Sequence, residues 1–435
     1  MSFDIDAGAV PRRPSGFRWV VCGLLLLVTA NNYLDRQILG VMAPELIRVL
    51  GWTPEDYTSI VFWFQLAYAL GFIAAGKFFD WAGTRLGFAV AVTSWSLAAV
   101  LHGAMGTVLG FKVVRFLLGL AEPSHMPGAI KVVAEWFPVE ERALATGIFK
   151  SGSNLGAVLA PVFVSWILPG FGWRATFVAA AATGFVWLAL WLWLYRPPID
   201  GPRSSPGTRA LAAAPGIPGA PRPTPWLVLL RRRETWAYVN FKFMTDAIWH
   251  WYLAMLPLFL SQKFDLGPSE YGPALVVVYL VGNLGSIGAG WLTSHWIRNG
   301  WDLTRARKFA MLLSCCLALP SVFVVYADHF WPIITLVALA HAAHQALTSN
   351  LFCTVSDLFP PQAVGSVVGF GGTAGQIGAM LMSLLSGVVL VRTGSLVSIF
   401  FVASFAYITA FVIFHVLVPR LEPLRLDGTA VSSEV

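Results

Sequence analysis

Asn31-Asn32-Tyr33-Leu34-Asp35-Arg36-Gln37 sits inside the apolar run 17–43, and how it is read decides how the whole chain folds. An ionised side chain in hydrocarbon costs roughly 2.5–3.5 kcal/mol on insertion scales, so such groups face a cavity or a partner. Three further apolar runs share the feature. The fourth holds Arg115 and Glu122, the seventh Lys242 and Asp246, and the tenth His341 and His344. The ionisable residues of the apolar runs thus fall almost entirely in every third run. That recurrence predicts a polar path lined by one helix from each of four three-helix units, the layout of a transporter assembled from repeats.

Working outward from that stretch, twelve apolar runs are expected to span a bilayer. They cover 17–43, 56–79, 85–107, 109–136, 141–168, 173–195, 234–261, 270–298, 307–327, 330–358, 363–391 and 395–419. Each is long enough to cross about 30 Å of hydrocarbon at 1.5 Å per residue. No run alternates in the manner of a barrel strand, so helices are the expected spanning element. Composition agrees: charged residues make up 12% of the 435 positions, against about 25% in soluble domains, and the mean hydropathy is +0.69. This excludes an ordinary soluble enzyme and a soluble nucleic-acid binder. The net charge of +7 resides between spans, where it reads as a topology signal. With the N-terminus inside, the inner loops carry most of the Lys and Arg, among them Lys77, Arg85, Arg142, Arg298, Arg305, Arg307 and Lys308. The outer loops carry Arg48, Arg174, Lys263 and Arg392. Both termini are therefore expected in the cytoplasm. Asp4 and Asp6, with no short apolar run and cleavage site, predict no removable signal peptide. Cys22, Cys315, Cys316 and Cys353 lie within spans and suit apolar packing.

Residues 196–233 break the pattern with nine prolines from Pro197 to Pro225, which forbid a continuous helix. They predict a flexible linker between two bundles of six spans, 1–195 and 234–435. A second signal supports two related halves. Gly76-Lys77-Phe78-Phe79-Asp80-Trp81-Ala82-Gly83-Thr84-Arg85 follows the second span. Gly290-Trp291-Leu292-Thr293-Ser294-His295-Trp296-Ile297-Arg298 follows the eighth, short and basic like the first but without its Asp.

Arg115 and Glu122 are seven residues apart, two helical turns or about 10 Å along one face. Each is expected to meet another helix or a substrate, and a buried structural pair is the alternative. Asp35 and Arg36 diverge around their helix, so one can face a cavity while the other meets a neighbour. A helix end at the outer interface would also explain them. Arg suits an anionic substrate because its planar fork grips a carboxylate, and a carboxylate in low dielectric suits a proton carrier. Lys242 and Asp246 can pair across one turn, although Lys242 could also reach the inner surface. The stretch Trp249-His250-Trp251-Tyr252 can stack on sugar faces or form an interfacial belt. His341 and His344 share a face with Gln345 and Asn350 nearby, which favours hydrogen bonding over metal ligation. Gly369, Gly371, Gly372, Gly375 and Gly378 follow no strand and precede no Lys-Ser/Thr, so they read as close helix packing, with Gln376 among them. Nothing resembles a phosphate loop or a nucleophile–base set. The expectation is a carrier that uses no ATP, metal or cofactor, and is not an enzyme.

These residues resemble a known family. Gly76–Arg85 is similar to the signature between spans two and three of the major facilitator superfamily, and implies gating roles for Gly76, Asp80, Gly83 and Arg85. Asn32-Tyr33-Leu34-Asp35-Arg36-Gln37 and Arg115-x-x-x-Gly119-x-x-Glu122 resemble patterns of its anion:cation symporter family. Lys242-Phe-Met-Thr-Asp246-Ala-Ile-Trp249, His344-Gln345 through Ser349-Asn350-Leu351-Phe352 to Asp357-Leu358-Phe359-Pro360, and Val364–Gly369 are similar to bacterial hexuronate transporters. The resemblance implies an all-α membrane protein of twelve transmembrane helices in two pseudo-symmetric six-helix bundles. It implies a monomeric, proton-coupled symporter in the bacterial inner membrane, with protons as the coupling ion and glucuronate or galacturonate as substrate. Asp35 and Glu122 would carry protons, with Arg36 and Arg115 as their partners and as carboxylate binders. Tyr33, Tyr68, Lys242, Trp249, Tyr252, His344, Asn350 and Gln376 would complete the substrate site. A carrier of another organic anion (an aldonate, tartrate or aromatic acid) and a non-transporting membrane sensor are the competing expectations.

Overall fold

The computed structural model describes residues 16–197, 224–264, 268–393 and 397–424. Helix α1 (Phe17–Leu50) ends at Gly51, whose φ of 68° only glycine adopts freely. Helix α2 (Pro54–His102) starts from a capping box: Thr53 Oγ1 accepts from the Asp56 amide while the Asp56 carboxylate accepts from the Thr53 amide. Then come α3 (Val108–Ala121), a 3₁₀ turn Glu122–Ser124, α4 (His125–Trp136) and α5 (Val139–Leu194). After residues 198–223, which lie outside the described residues, follow α6 (Trp226–Leu230), α7 (Arg233–Phe264), α8 (Pro268–Arg298) and α9 (Leu303–Ala318) with its 3₁₀ extension Leu319–Tyr326. The chain ends with α10 (Phe330–Leu358), α11 (Pro361–Thr393) and α12 (Val397–Leu417).

Two of these helices each supply two crossings. In α2 the chain turns at Gly83 (φ 72°, ψ 175°). The rings of Phe79 and Phe88 meet at 5.1 Å, where nine residues of unbroken helix would separate them by about 13 Å. In α5 the turn is at Gly172 (φ 77°, ψ 173°). Both arms of α5 reach one turn of α1: Gly152 abuts the Leu26 carbonyl and Trp187 Nε1 donates to the Leu24 carbonyl at 2.8 Å. Among the described residues eight helices are long and apolar enough to cross a membrane. With α2 and α5 counted twice, and α7 and the broken pair α3–α4 added, the twelve expected crossings are present. The expected linker 196–233 lies mostly outside the described residues. Its last part is more ordered than the prolines predict: Pro225 heads the short α6, and Trp226 Nε1 donates to Ser366 Oγ of α11 at 3.3 Å.

The two halves come into backbone contact at the end that carries the basic loops. A Cβ on Gly76 of α2 would fall on the Gly365 carbonyl of α11, and one on Gly290 of α8 would fall on the Ala143 carbonyl of α5. These contacts are related by the repeat that the two loop sequences suggested. Asp80 secures the first. Its carboxylate accepts from the backbone amides of Gly365 (3.0 Å) and Ser366 (2.7 Å) at the start of α11, and from Lys131 Nζ at 3.1 Å. An acid at a helix N-terminus satisfies orphan amides there. Gly83 makes the turn, while Arg85 donates to the Leu192 carbonyl of α5 at 3.0 Å. Gly76→Val is expected to destabilise this closed end by about 1–3 kcal/mol through overpacking. It would lower the melting temperature of the purified protein and cut transport; an unchanged melting temperature would refute the close contact.

A second tie adds to the sequence reading, which counted Arg142 and Arg307 among the basic residues of the inner side. Both are buried. Arg142 Nη1 donates to Asp357 Oδ1 at 2.9 Å and Arg307 Nε to Asp357 Oδ2 at 3.0 Å. Arg142 also caps the carbonyls of Ser356, Phe137 and Ala134. One carboxylate on α10 thus joins α5 of the first half to α9 of the second.

Candidate functional site

The site begins with a broken helix. Pro123 lacks an amide proton and its ring clashes with the carbonyl four residues back, so the fourth span leaves the α form at Glu122–Ser124. The Glu122 carbonyl, which takes the His125 amide in the 3₁₀ turn, also accepts from Asn32 Nδ2 at 3.2 Å and pairs with His125 Nδ1 at 2.7 Å. These bonds tie the polar stretch of α1 to the break. They set Arg36 so that its Nε donates to Glu122 Oε2 at 3.1 Å. The guanidinium carbon lies 4.7 Å from the Tyr33 ring centroid and 4.3 Å from that of Tyr68. Two aromatic faces and one carboxylate therefore hold Arg36, while its Nη2 has no protein partner.

Arg36 opens into a cavity of about 920 Å³ between the halves, within the size range of small-molecule sites. Gly40 of α1, Tyr57 and Val61 of α2 and Leu384 of α11 carry its lining toward the end opposite the basic loops. The Asp80 clasp and the Arg142–Asp357–Arg307 cluster close the other end.

Its walls are strongly cationic. Arg36, Arg115, Lys150 and Lys242 line it, and Asp246 is the carboxylate among the lining residues. Lys242 Nζ and Asp246 Oδ2 pair at 2.5 Å across one turn of α7, as their spacing predicts. Arg115 is buried, with Nε and Nη2 unpartnered, 5.5 Å from the Phe64 ring. Tyr33, Tyr68, Trp249, His344 and Gln376 complete the expected residues that reach the cavity. Trp249 lies flat on His341 at 3.7 Å between centroids, and His344 Nδ1 pairs with the Tyr407 hydroxyl at 3.2 Å. Among the described residues no three His, Cys, Asp or Glu side chains converge as metal ligands.

Several expected residues fall elsewhere. Tyr252 does not line the cavity: it is one turn beyond Trp249, and its ring packs edge-on against Phe400 of α12 at 5.8 Å. Asn350 is fully buried on the far side of α10 and turns its amide back to the Ala346 carbonyl at 3.3 Å. Asp35 and Glu122 are not in the lining. Glu122 stands behind Arg36. Asp35 is 3% exposed and neither of its carboxylate oxygens has a partner, so the expected pairing of both acids with both arginines reduces to the one pair Arg36–Glu122.

Sequence reasoning missed Lys150. The assignment of ionisable residues to every third run passed over this lysine in the middle of the fifth. Its Nζ donates to Thr348 Oγ1 and to the Gln345 carbonyl of α10. The signal was available, since Lys150 stands between Gly147 and Gly152, which press on the backbones of α8 and α1. A lysine between two close-packed glycines has nowhere to snorkel. Asn154, one turn on, donates to Asn283 Oδ1 at 2.8 Å and also bridges the halves.

With this geometry in hand, comparisons with known proteins are informative. The family model described as Major Facilitator Superfamily matches residues 25–323 and 300–433. A hexuronate transporter of Escherichia coli (strain K12) is 28% identical over 86% of this chain and 88% of its own length. A galacturonate transporter of Dickeya chrysanthemi is 29% identical over 64% of this chain and 81% of its own. Among solved structures, the transporter FucP in the outward conformation superposes with a TM-score of 0.69 over 92% of this chain and 99% of that one, at 12% identity. That last likeness concerns the fold alone.

Proposed function

Because the chain belongs to the Major Facilitator Superfamily, we propose that it is a proton-coupled symporter that brings sugar acids, hexuronates first among them, into a bacterial cell by alternating access. The observation that carries this reading is the cavity's charge: four cations against one carboxylate among its lining residues. Such a chamber is built for an anion. Aromatic faces at Tyr33, Tyr68 and Trp249 suit a sugar ring. The names of the sequence relatives point the same way. With the basic loops in the cytoplasm, the lining at Gly40, Tyr57 and Leu384 runs toward the outside.

The mechanism follows from what holds Arg36. While Glu122 is ionised, it occupies the Nε side of the guanidinium. A proton on Glu122 weakens that bond and frees the fork for a substrate carboxylate. Arg115, whose Nε and Nη2 have no protein partner, takes the second oxygen. Asp35, which touches no donor, is the other proton carrier we assign. Occupation of the cationic wall lets the halves close over the substrate while the Asp80 and Asp357 ties release. Loss of protons to the interior restores the Arg36–Glu122 pair and expels the anion.

The direct test is uptake of labelled galacturonate and glucuronate into proteoliposomes at two external pH values. Faster uptake at the lower pH is expected; absence of uptake of either acid would overturn the reading. Competition with aldonates, tartrate and aromatic acids separates the other anion carriers. Arg36→Lys replaces a planar fork with a point charge. It is expected to lower galacturonate uptake by roughly tenfold or more, about 1.4 kcal/mol, with KM rather than protein amount affected. Uptake at the parental KM would show that Arg36 does not grip the carboxylate.

A further inference from the structure

Trp249 of α7 is an aromatic face of the cavity, and side chains and backbone of three other helices stand behind it. The indole lies 14° from the plane of the His341 imidazole, with 3.7 Å between centroids, and 20° from that of His344 at 5.5 Å. His341 itself is 1% exposed and is not among the lining residues. A Cβ on Gly282 of α8 would fall on its ring, so glycine at this position is what lets the ring enter. Tyr279 of α8 meets the same ring edge-on at 6.0 Å. The imidazole is therefore held by the α8 backbone and by the indole of α7 together. Its Nε2 is 3.5 Å from Asn154 Nδ2 of α5, while its Nδ1 has no partner. Asn154 Nδ2 also donates to the Tyr279 carbonyl at 3.2 Å and to Asn283 Oδ1 at 2.8 Å. Of the helices that meet at this ring, α5 belongs to the first half of the chain and α7, α8 and α10 to the second.

We propose that His341 is a positioning residue with two separable tasks: its ring fixes the Trp249 indole against the sugar, and its Nε2 ties that contact, through Asn154, to the movement of the halves. This deepens the sugar-acid reading and rests on it. The stack alone does not account for a histidine. Phenylalanine would stack on the indole as well and would bury no polar group, whereas an imidazole buried among rings is costly unless its nitrogens are used. The nitrogen that is used here meets Asn154. That side chain stands where α5 faces α8 across the two halves: its two shorter bonds go to α8 and its longer contact to the ring behind the sugar face. A sugar that settles on Trp249 thus loads a ring in contact with the opposite half, and movement of α5 past α8 changes what holds that ring. Neither task requires His341 to touch the substrate.

The test uses the purified full chain in proteoliposomes, with labelled galacturonate as the probe. His341→Phe keeps the stack and removes the nitrogen. It is expected to leave KM at the parental value and to lower the maximum rate roughly fivefold, about 1 kcal/mol. His341→Leu removes both, and KM is expected to rise roughly fivefold as well. Both replacements are apolar and close to imidazole in volume, so melting temperatures are expected to stay at or above the parental value. Should His341→Leu melt too low to assay, His341→Met supplies the same comparison. Asn154→Ala is expected to slow the maximum rate, and adding His341→Phe to it is expected to slow it no further. A parental maximum rate in His341→Phe would remove the tie, and equal KM values in His341→Phe and His341→Leu would remove the stacking task; either result overturns the proposal while the sugar-acid reading stands. A merely structural role gives the second of these results, with both variants slower at one KM. A parent that takes up no galacturonate would overturn the sugar-acid reading and the proposal with it, and that measurement is made before any variant.

Discussion

Asp35→Asn will abolish pH-driven accumulation of substrate while sparing exchange of internal for external substrate. Asp35 is 3% exposed and neither carboxylate oxygen has a partner, so the amide of Asn fits the same space and breaks no ion pair. What it removes is the ability to take up and release a proton. Each coupled proton contributes 1.36 kcal/mol per pH unit across the membrane, about a tenfold concentration ratio. The variant's steady-state ratio should fall to its value without a pH gradient, while counterflow of preloaded label continues. Glu122→Gln behaves differently, because it leaves the Arg36 guanidinium without its carboxylate; both accumulation and exchange should decline there. The measurement is steady-state accumulation against counterflow in the same vesicles. Parental accumulation in Asp35→Asn would remove Asp35 from the coupling scheme.

The second large effect concerns the closed end. Asp357→Ala strands two buried guanidiniums, Arg142 and Arg307, that it now neutralises at 2.9 and 3.0 Å. Removing one partner of a buried pair costs about 3–5 kcal/mol, and here two cations lose the same partner. The backbone carbonyls around Arg142 soften the loss without supplying charge. The expected result is a steep fall in melting temperature and greater labelling of a cysteine placed at the basic-loop end. Removing the arginines together with the acid, as Arg142→Leu, Arg307→Met and Asp357→Leu, should recover part of the stability. A single variant with parental melting and labelling would show that the cluster does not hold the halves together.

Much of this was legible in the chain itself. Runs of apolar residues long enough to span a bilayer are a direct consequence of hydrocarbon thickness, and all twelve crossings are accounted for. The Gly83 turn was signalled by the loop motif Gly76–Arg85, and the Lys242–Asp246 pair by a spacing of four. The same spacing rules could not say which cation meets which acid. Asp35 and Arg36 are neighbours in sequence, but their partners are set by the kink at Pro123 and the packing of α1 upon it. Tyr252 and Asn350 carry suitable groups on suitable helices, and were lost from the site by a turn of rotation that periodicity does not fix. Arg142 and Arg307 looked like loop charges because burial at a helix end depends on the partner half, which lies more than a hundred residues away for Arg142. Lys150 was hidden by a pattern that fitted too well elsewhere.

The central claim is that anion entry and proton entry are one event at this cavity. It is tested most directly by adding galacturonate to lightly buffered proteoliposomes with no imposed gradient, and recording external pH. The account predicts alkalinisation that begins with substrate addition, saturates with substrate concentration and disappears in Asp35→Asn. Substrate entry with no accompanying change of external pH would contradict it.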